Sequence, residues 1–297
     1  MKEYVSPTLI ASYKYCPRLC YLNTVFPHGD KKSVGTVLGI FEHEVFGKHA
    51  ELTRIDWLKE MQIPKDEVFQ KEQRIEKVLA YAENIAKEVY PEFIGDIHNT
   101  VENLQYRLGC ISDMRFQFLS QILEDGMPYE DAVNMILPWR VEQWFKSDKL
   151  GIRGRADAIY RMPDSTLLIE DIKSHNKRLD AFIHKDEIKT QLTAYAVLSD
   201  EMFNMPTPVA RIFYSQDLST EHFHISDEDK EELIQIKNEA KNVLENGLPP
   251  KLSGKESIKC KFCYKRNLCF GFDRRTDNEV LDQTKEPKQE EWKLQWR

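Results

Sequence analysis

The spacing of apolar and polar positions changes period several times along the chain, and each change predicts an element. Residues 33–50, SVGTVLGIFEHEVFGKHA, read as a helix in which Gly35, Gly39, His43 and Gly47 recur every four residues and share one face. Three glycines on that face weaken the helix, so something is expected to approach it closely. Upstream, Ser6-Pro7 opens a short helix with a capping hydroxyl and a proline in the first turn, and Pro17 ends or kinks it. Residues 51–138 keep helical periodicity, as in EKVLAYAENIAKEVY, and read as an all-helical insertion of several segments. From residue 140 the pattern turns to strands: RVEQWFKS, GIRGRADAIYRM and TLLIEDIKS. A helix over 184–199, a strand ARIFYS at 210–215 and a strand TEHFHI follow. Ser226 with Asp229 forms a capping box for a helix reaching Glu245, closed by Asn246-Gly247 and Pro249-Pro250. Residues 273–297 read as a polar tail, with Trp292 and Trp296 at helical spacing.

The strand LLIEDIK poses a physical question, because its apolar run gives way to Glu170, Asp171 and Lys173. Buried charges are costly unless compensated. MPDST is a turn signal centred on Asp164. Folding the hairpin there sets position 157 opposite 171, and 155 opposite 173. Asp157, Asp171 and Lys173 then share one side of the sheet, provided the register does not slip. Facing carboxylates repel, and a hard divalent cation such as Mg²⁺ or Mn²⁺ between them relieves the repulsion. On this reading the charges of IEDIKS await a metal ion and a phosphodiester. Gln191 and Tyr195, one helical turn apart downstream, share a face. Singly, each of these residues is an ordinary surface acid, partly buried histidine or core tyrosine; the combination carries the weight.

Six cysteines stand at 16, 20, 110, 260, 263 and 269, the last three as Cys-x2-Cys-x5-Cys. In an intracellular protein that spacing indicates metal or cluster ligation before disulfides. Four thiolates suit an iron–sulfur cluster or structural Zn²⁺, and spacing alone does not separate them. Cys20 is a substitute for Cys16 in such a set, and Cys110 reads as a buried thiol within the helical insertion. Lys259, Lys261, Phe262, Tyr264, Lys265 and Arg266 interleave cations with aromatics around the last three cysteines. Such a surface contacts phosphates and bases, unless the aromatics serve to shield a cluster.

Composition adds limits. The net charge of −7 argues mildly against a protein that coats nucleic acid, although residues 251–275 carry eight Lys or Arg against two acids. No run of eighteen apolar residues exists and the N-terminus lacks the apolar stretch of a signal peptide. A cytoplasmic protein with no membrane association is expected.

GRAD, EDIK and QLTAY resemble, in order, the motifs of RecB-like nucleases within the PD-(D/E)XK superfamily. CPR near the start, GIFEHE at 39–44 and the terminal cysteine run resemble the CRISPR-associated iron–sulfur exonucleases, the fourth Cas family. The motifs cover the two ends and the centre; residues 51–138 match neither. The resemblance implies an α/β fold, a mixed sheet flanked by helices, with a helical insertion and an iron–sulfur clasp. It implies that His43, Asp157, Asp171 and the backbone carbonyl of Ile172 bind Mg²⁺ or Mn²⁺. Lys173 would orient or deprotonate the attacking water, and Gln191 and Tyr195 would position the DNA strand or the lysine. Cys16, Cys260, Cys263 and Cys269 would hold a [4Fe–4S] cluster. Asp171 stands where many relatives have Glu, and the long helical segment suggests a larger, archaeal-type branch.

The expectation is a single nuclease domain over 1–297. Residues 1–25 and 250–272 form the clasp, 51–138 the insertion, 139–225 the catalytic sheet and helix, and 273–297 the tail. Its activity would be that of a metal-dependent DNA exonuclease on single-stranded ends, processing prespacers in CRISPR adaptation with the Cas integrase complex as partner. Two rivals remain at this point: a catalytically silent DNA-binding or scaffold subunit, and a RecB-like repair or replication nuclease. Polarity, oligomeric state, metal count and the purpose of residues 51–138 (lid, DNA guide or docking surface) are not legible.

Overall fold

The computed structural model describes residues 4–26, 34–64, 66–174 and 185–272. Two short helices open the chain, α1 (Pro7–Tyr15) and α2 (Pro17–Val25). The Ser6 hydroxyl caps α1 by accepting from the Leu9 amide at 3.2 Å, and the chain breaks at Cys16, whose extended backbone separates the two helices. Next come α3 (Val34–Glu60), α4 (Glu67–Val89), α5 (Ile94–Glu124) and α6 (Tyr129–Ile136). The strands are β1 (Arg140–Ser147), β2 (Ile152–Arg161), β3 (Leu167–Lys173), β4 (Val209–Tyr214) and β5 (Ser219–His224). Helix α7 (Lys185–Phe203) links β3 to β4, while α8 (Asp227–Asn246) and α9 (Arg266–Phe272) follow the sheet. The Ser226/Asp229 capping box at the start of α8 is complete. The tail and its Trp292/Trp296 pair lie outside the described residues.

The five strands form one sheet in chain order. Every pair is antiparallel except β3 with β4, whose parallel pairing needs the α7 crossover. In β3, Leu167 through Ile172 are all buried, as expected of a central strand covered on both faces. One face carries Ile159, Ile169, Ala210 and Ile212 against Ile10 of α1, Leu192 and Tyr195 of α7 and Leu233 of α8. The other carries Ile172 and Phe213 against Phe41 and Val45 of α3, Val78 of α4 and Leu104 of α5. Trp57 joins α5 and α6 through Leu119, Ile122 and Ile136 in a third cluster. The helices of 51–138 therefore wall one face of the sheet, and α3 crosses residue 51 without a break.

The glycine face of α3 is approached less evenly than the spacing predicted. A methyl at Gly39 would stand 3.0 Å from Ser174 Oγ, while at Gly47 it would make only an ordinary 3.9 Å contact with Val141. At Gly35 no described atom lies within 4 Å. The tightest glycine is on the sheet: at Gly154 a methyl would lie 2.7 Å from Pro7 and 3.1 Å from the Tyr195 ring. Gly154 of the GRAD motif thus lets α1 and α7 settle directly onto β2.

Candidate active site

The β2–β3 ladder runs from Arg161↔Leu167 to Ala158↔Glu170. One step further in the same register stand Asp157 and Asp171, so the hairpin folds about Asp164 as expected. Asp164 Oδ1 secures that turn by accepting from the Thr166 amide at 3.0 Å and hydroxyl at 2.7 Å. Asp157 sits where alternation along β2 breaks: Ala156 and Ile159 join one core cluster and Ala158 another. On β1 the matching position is Glu142, at a left-handed φ of 51°. The break turns the Asp157 carboxylate toward β3, where Oδ2 accepts from the Ile172 amide at 2.7 Å.

Four other expected residues arrive at the same place. His43 Nδ1 of α3 lies 3.4 Å from Asp157 Oδ2. Lys173 Nζ lies 2.8 Å from Asp171 Oδ2, and Gln191 Nε2 donates to Asp171 Oδ1 at 3.2 Å. Tyr195, one turn along α7, is buried against Gly154. The electrostatics divide the two acids. Burial works to raise the Asp157 carboxyl, but His43, the Ile172 amide and Lys173 together hold it below the usual range. For Asp171, burial and the nearby Asp157 charge outweigh Lys173 and keep the carboxyl above its usual range. Burial depresses the His43 imidazolium, yet the bond and charge of Asp157, with Asp171, raise it overall. The Tyr195 phenol is driven up, first by burial and then by both acids, so it acts as a hydrogen-bond donor rather than a base.

One expectation needs correction. Glu170 does not await a metal with its neighbours. It lies on the opposite face, where Arg211 Nε approaches its Oε2 at 2.5 Å and the Tyr160 hydroxyl donates at 2.8 Å. Ile172 enters the site through its amide, which donates to Asp157 Oδ2.

Sequence reasoning missed three features. Glu142, half-buried beside Asp157, has its carboxyl raised by burial and then by that charge, and is held by Arg155 at 2.7 Å. The turn signal around Asp148 and Gly151 would have placed 142 opposite 157. Glu42, next to His43, receives Arg107 of α5 at 2.9 Å. Arg107 also donates to the Ser215 carbonyl at 3.0 Å, and the Ser215 hydroxyl donates to Glu42 at 2.6 Å. Since the Ser215 amide donates to the Lys173 carbonyl at 2.9 Å, this buried network braces α3 and the end of β3 together. It gives the helical segment a structural role that no local pattern announced.

The cysteines meet elsewhere. Cys16, Cys260, Cys263 and Cys269 line one cavity with Tyr15, Leu19, Leu252 and Phe270. All six cysteines are unpaired by disulfides. Burial raises the thiols of Cys16, Cys263 and Cys269, and Arg18 opposes this at Cys16 and Cys269. Cys20 is fully buried, with its thiol pushed up to about 12 by burial and then Cys16, and does not line the cavity. Cys110 is half-buried rather than buried. Phe262 and Tyr264 are 60% and 56% exposed and do not line the cavity, so they do not shield it. Direct bonds already tie the two chain ends here: the Tyr15 hydroxyl donates to the Lys259 carbonyl at 2.6 Å, Tyr264 to Asn23 at 2.8 Å, and Arg18 to the Pro249 carbonyl at 2.9 Å. Among the described residues no three His, Cys, Asp or Glu side chains are grouped ready for a metal ion, and no helix is long and apolar enough to cross a membrane.

A mixed α/β sheet that delivers two acids and a lysine to one helix-covered point has the architecture of a nuclease core. The profile of the PD-(D/E)XK nuclease superfamily matches residues 4–270, and the chain belongs to that superfamily. Among solved structures it is similar to a protein from Eubacterium rectale described as a "putative exonuclease". That likeness has 12% identity and a TM-score of 0.47, and covers 100% of this chain and 94% of the other. No curated protein matches the chain.

Proposed function

We propose that this nuclease is a divalent-metal-dependent DNA exonuclease that hydrolyses phosphodiester bonds at single-stranded ends. The observation that carries the reading is the convergence of Asp157, Asp171, Lys173 and His43 at the open end of the β2–β3 ladder. Asp157, Asp171 and His43 bring two carboxylates and an imidazole to this point, a donor set of the kind that suits a hard cation, which would draw them the rest of the way together. Asp157, Asp171 and His43, with the Ile172 carbonyl, would hold Mg²⁺ or Mn²⁺. Such an ion, when bound, supplies acidified water and neutralises charge on the phosphate.

The chain's own groups do the rest. Lys173 brings a cation to the Asp171 carboxylate and would steady charge developing on the phosphate or orient water. Gln191 fixes the Asp171 carboxylate. Tyr195 keeps its proton, because burial and both acids raise its phenol, and would offer it to the DNA strand. Cleavage of end-labelled single strands is expected to require added Mg²⁺ or Mn²⁺ and to stop in EDTA. DNA binding without any metal-dependent cleavage would favour the silent scaffold instead.

For the clasp we propose a [4Fe–4S] cluster on Cys16, Cys260, Cys263 and Cys269. The support is a set of four thiols around one cavity, three of which, Cys16, Cys263 and Cys269, are raised by burial, a penalty that thiolate ligation would relieve. Purified protein should contain iron and sulfide, and Cys263→Ala should lose both along with stability. A colourless, zinc-rich protein would overturn this assignment. The further role, trimming prespacers beside a CRISPR integrase, is supported by motif order alone; failure to co-elute with that complex would remove it in favour of repair or replication.

A further inference from the structure

The outward face of the β1–β2 hairpin carries a row of which only Arg155, in GRAD, belongs to a motif and reaches the acid site. Trp144 pairs across the ladder with Arg155, and Lys146 with Arg153. Further along, Glu142 and Asp157 stand at the break in this ladder. Arg155 links the row to the acid site, because it holds Glu142 beside Asp157, and Lys146 stands one same-face step, about 6.7 Å, beyond Trp144. The buried Phe145 and Ala156 point the other way, into the core under α7, which leaves this row facing solvent. Trp144 is 64% exposed and is the only tryptophan among the large exposed apolar side chains of the described residues. The Arg155 guanidinium lies 5.8 Å from its ring, and Arg155 also holds Glu142 at 2.7 Å. At the far end the Tyr4 ring has Lys146 at 4.8 Å and Arg153 at 5.9 Å.

A solvated indole flanked by cations, leading away from a pair of acids, suits a polyanion with exposed π faces. Bases of single-stranded DNA stack on such a ring whatever their sequence, while Arg and Lys track the phosphates. A duplex keeps its bases stacked inside and offers the ring nothing. We propose that Trp144, with Arg155, Lys146, Arg153 and Tyr4, forms the platform that leads a single-stranded DNA end to Asp157 and Asp171. This rests on the nuclease reading and adds the path of the substrate strand.

The test is binding of labelled oligo(dT) to the full chain in EDTA, by fluorescence anisotropy, with blunt duplex as the comparison. Trp144→Ala should weaken oligo(dT) binding roughly ten-fold, while Trp144→Phe keeps most of it. Duplex binding should move little in either variant. Substituting Lys146→Ala and Arg153→Ala together should lower the salt slope by about 1.4, the value for two phosphate contacts on a single strand. This second variant decides the matter if Trp144→Ala folds poorly. Unchanged oligo(dT) affinity and salt slope, in a protein that still cleaves DNA with metal, overturn the platform and leave the nuclease reading standing. A wild-type protein that neither binds oligo(dT) nor cleaves it overturns both.

Discussion

Glu170 and Asp171 are consecutive residues of one strand, 4% and 7% exposed, yet their faces of the sheet treat them in opposite ways. On the Glu170 side the chain supplies full compensation. Arg211 and the Tyr160 hydroxyl engage both carboxylate oxygens, and the Arg211 guanidinium lies 4.3 Å from the Tyr160 ring. Burial and then Glu170 push the Tyr160 phenol up to about 12, so it remains a donor. On the Asp171 side Lys173 and Gln191 reach one oxygen each, yet burial and a second carboxylate outweigh the lysine and keep the carboxyl above its usual range. A buried charge that a protein satisfies is architecture. One that it leaves under-compensated, beside another acid and at a break in the ladder, is prepared for something from outside.

The contrast can be broken most sharply at Asp171. Asp171→Ala is expected to lower kcat for strand cleavage by roughly 100- to 1000-fold, about 2.7–4 kcal/mol of barrier. Thermal unfolding should show an unchanged or higher melting temperature, because a strained buried acid has gone. Glu170→Gln should do the reverse. Removing the charge leaves Arg211 buried without its partner, at a cost of about 3 kcal/mol in urea unfolding, while the folded fraction still cleaves. If the two substitutions gave the same pattern, the division between the faces would be wrong.

A smaller effect lies in pH. The folded Asp171 carboxyl titrates above its unfolded value of 3.8. Above that pH the unfolded chain releases a proton that the folded chain retains, so rising pH removes stability until the folded group also ionises. The difference in stability between Asp171→Asn and the metal-free wild type should therefore grow in the variant's favour as pH rises through that window. Its slope is at most about 1.4 kcal/mol per pH unit. Taking the difference cancels His49, whose buried imidazole is held neutral by burial and then by Arg115 and acts oppositely, losing stability as pH falls below 6.5. Urea midpoints in EDTA across the acid-to-neutral range measure it, and a flat difference would mean that Asp171 is ordinarily solvated.

Much of the fold was legible because its signals are local. Ser6 and Ser226 cap helices through neighbours three residues away, and Asp164 organises its own turn. The β2–β3 register follows from that turn, so the facing of Asp157 and Asp171 could be read from a single hairpin. The thiol set was legible as a spacing in its last three members and joined Cys16 in one cavity. What the amino-acid order determined by itself was thus the elements, the hairpin register and the identity of the chemical groups. The tertiary structure decided which charges are spent on the protein and which are kept. Arg211 comes to Glu170 from the next strand, beyond the α7 crossover, and Arg107 comes to Glu42 across 65 residues. Glu142 takes its place only because β1 pairs with β2. Compensation of a buried charge depends on what approaches through space, and the chain's linear order does not contain that distance.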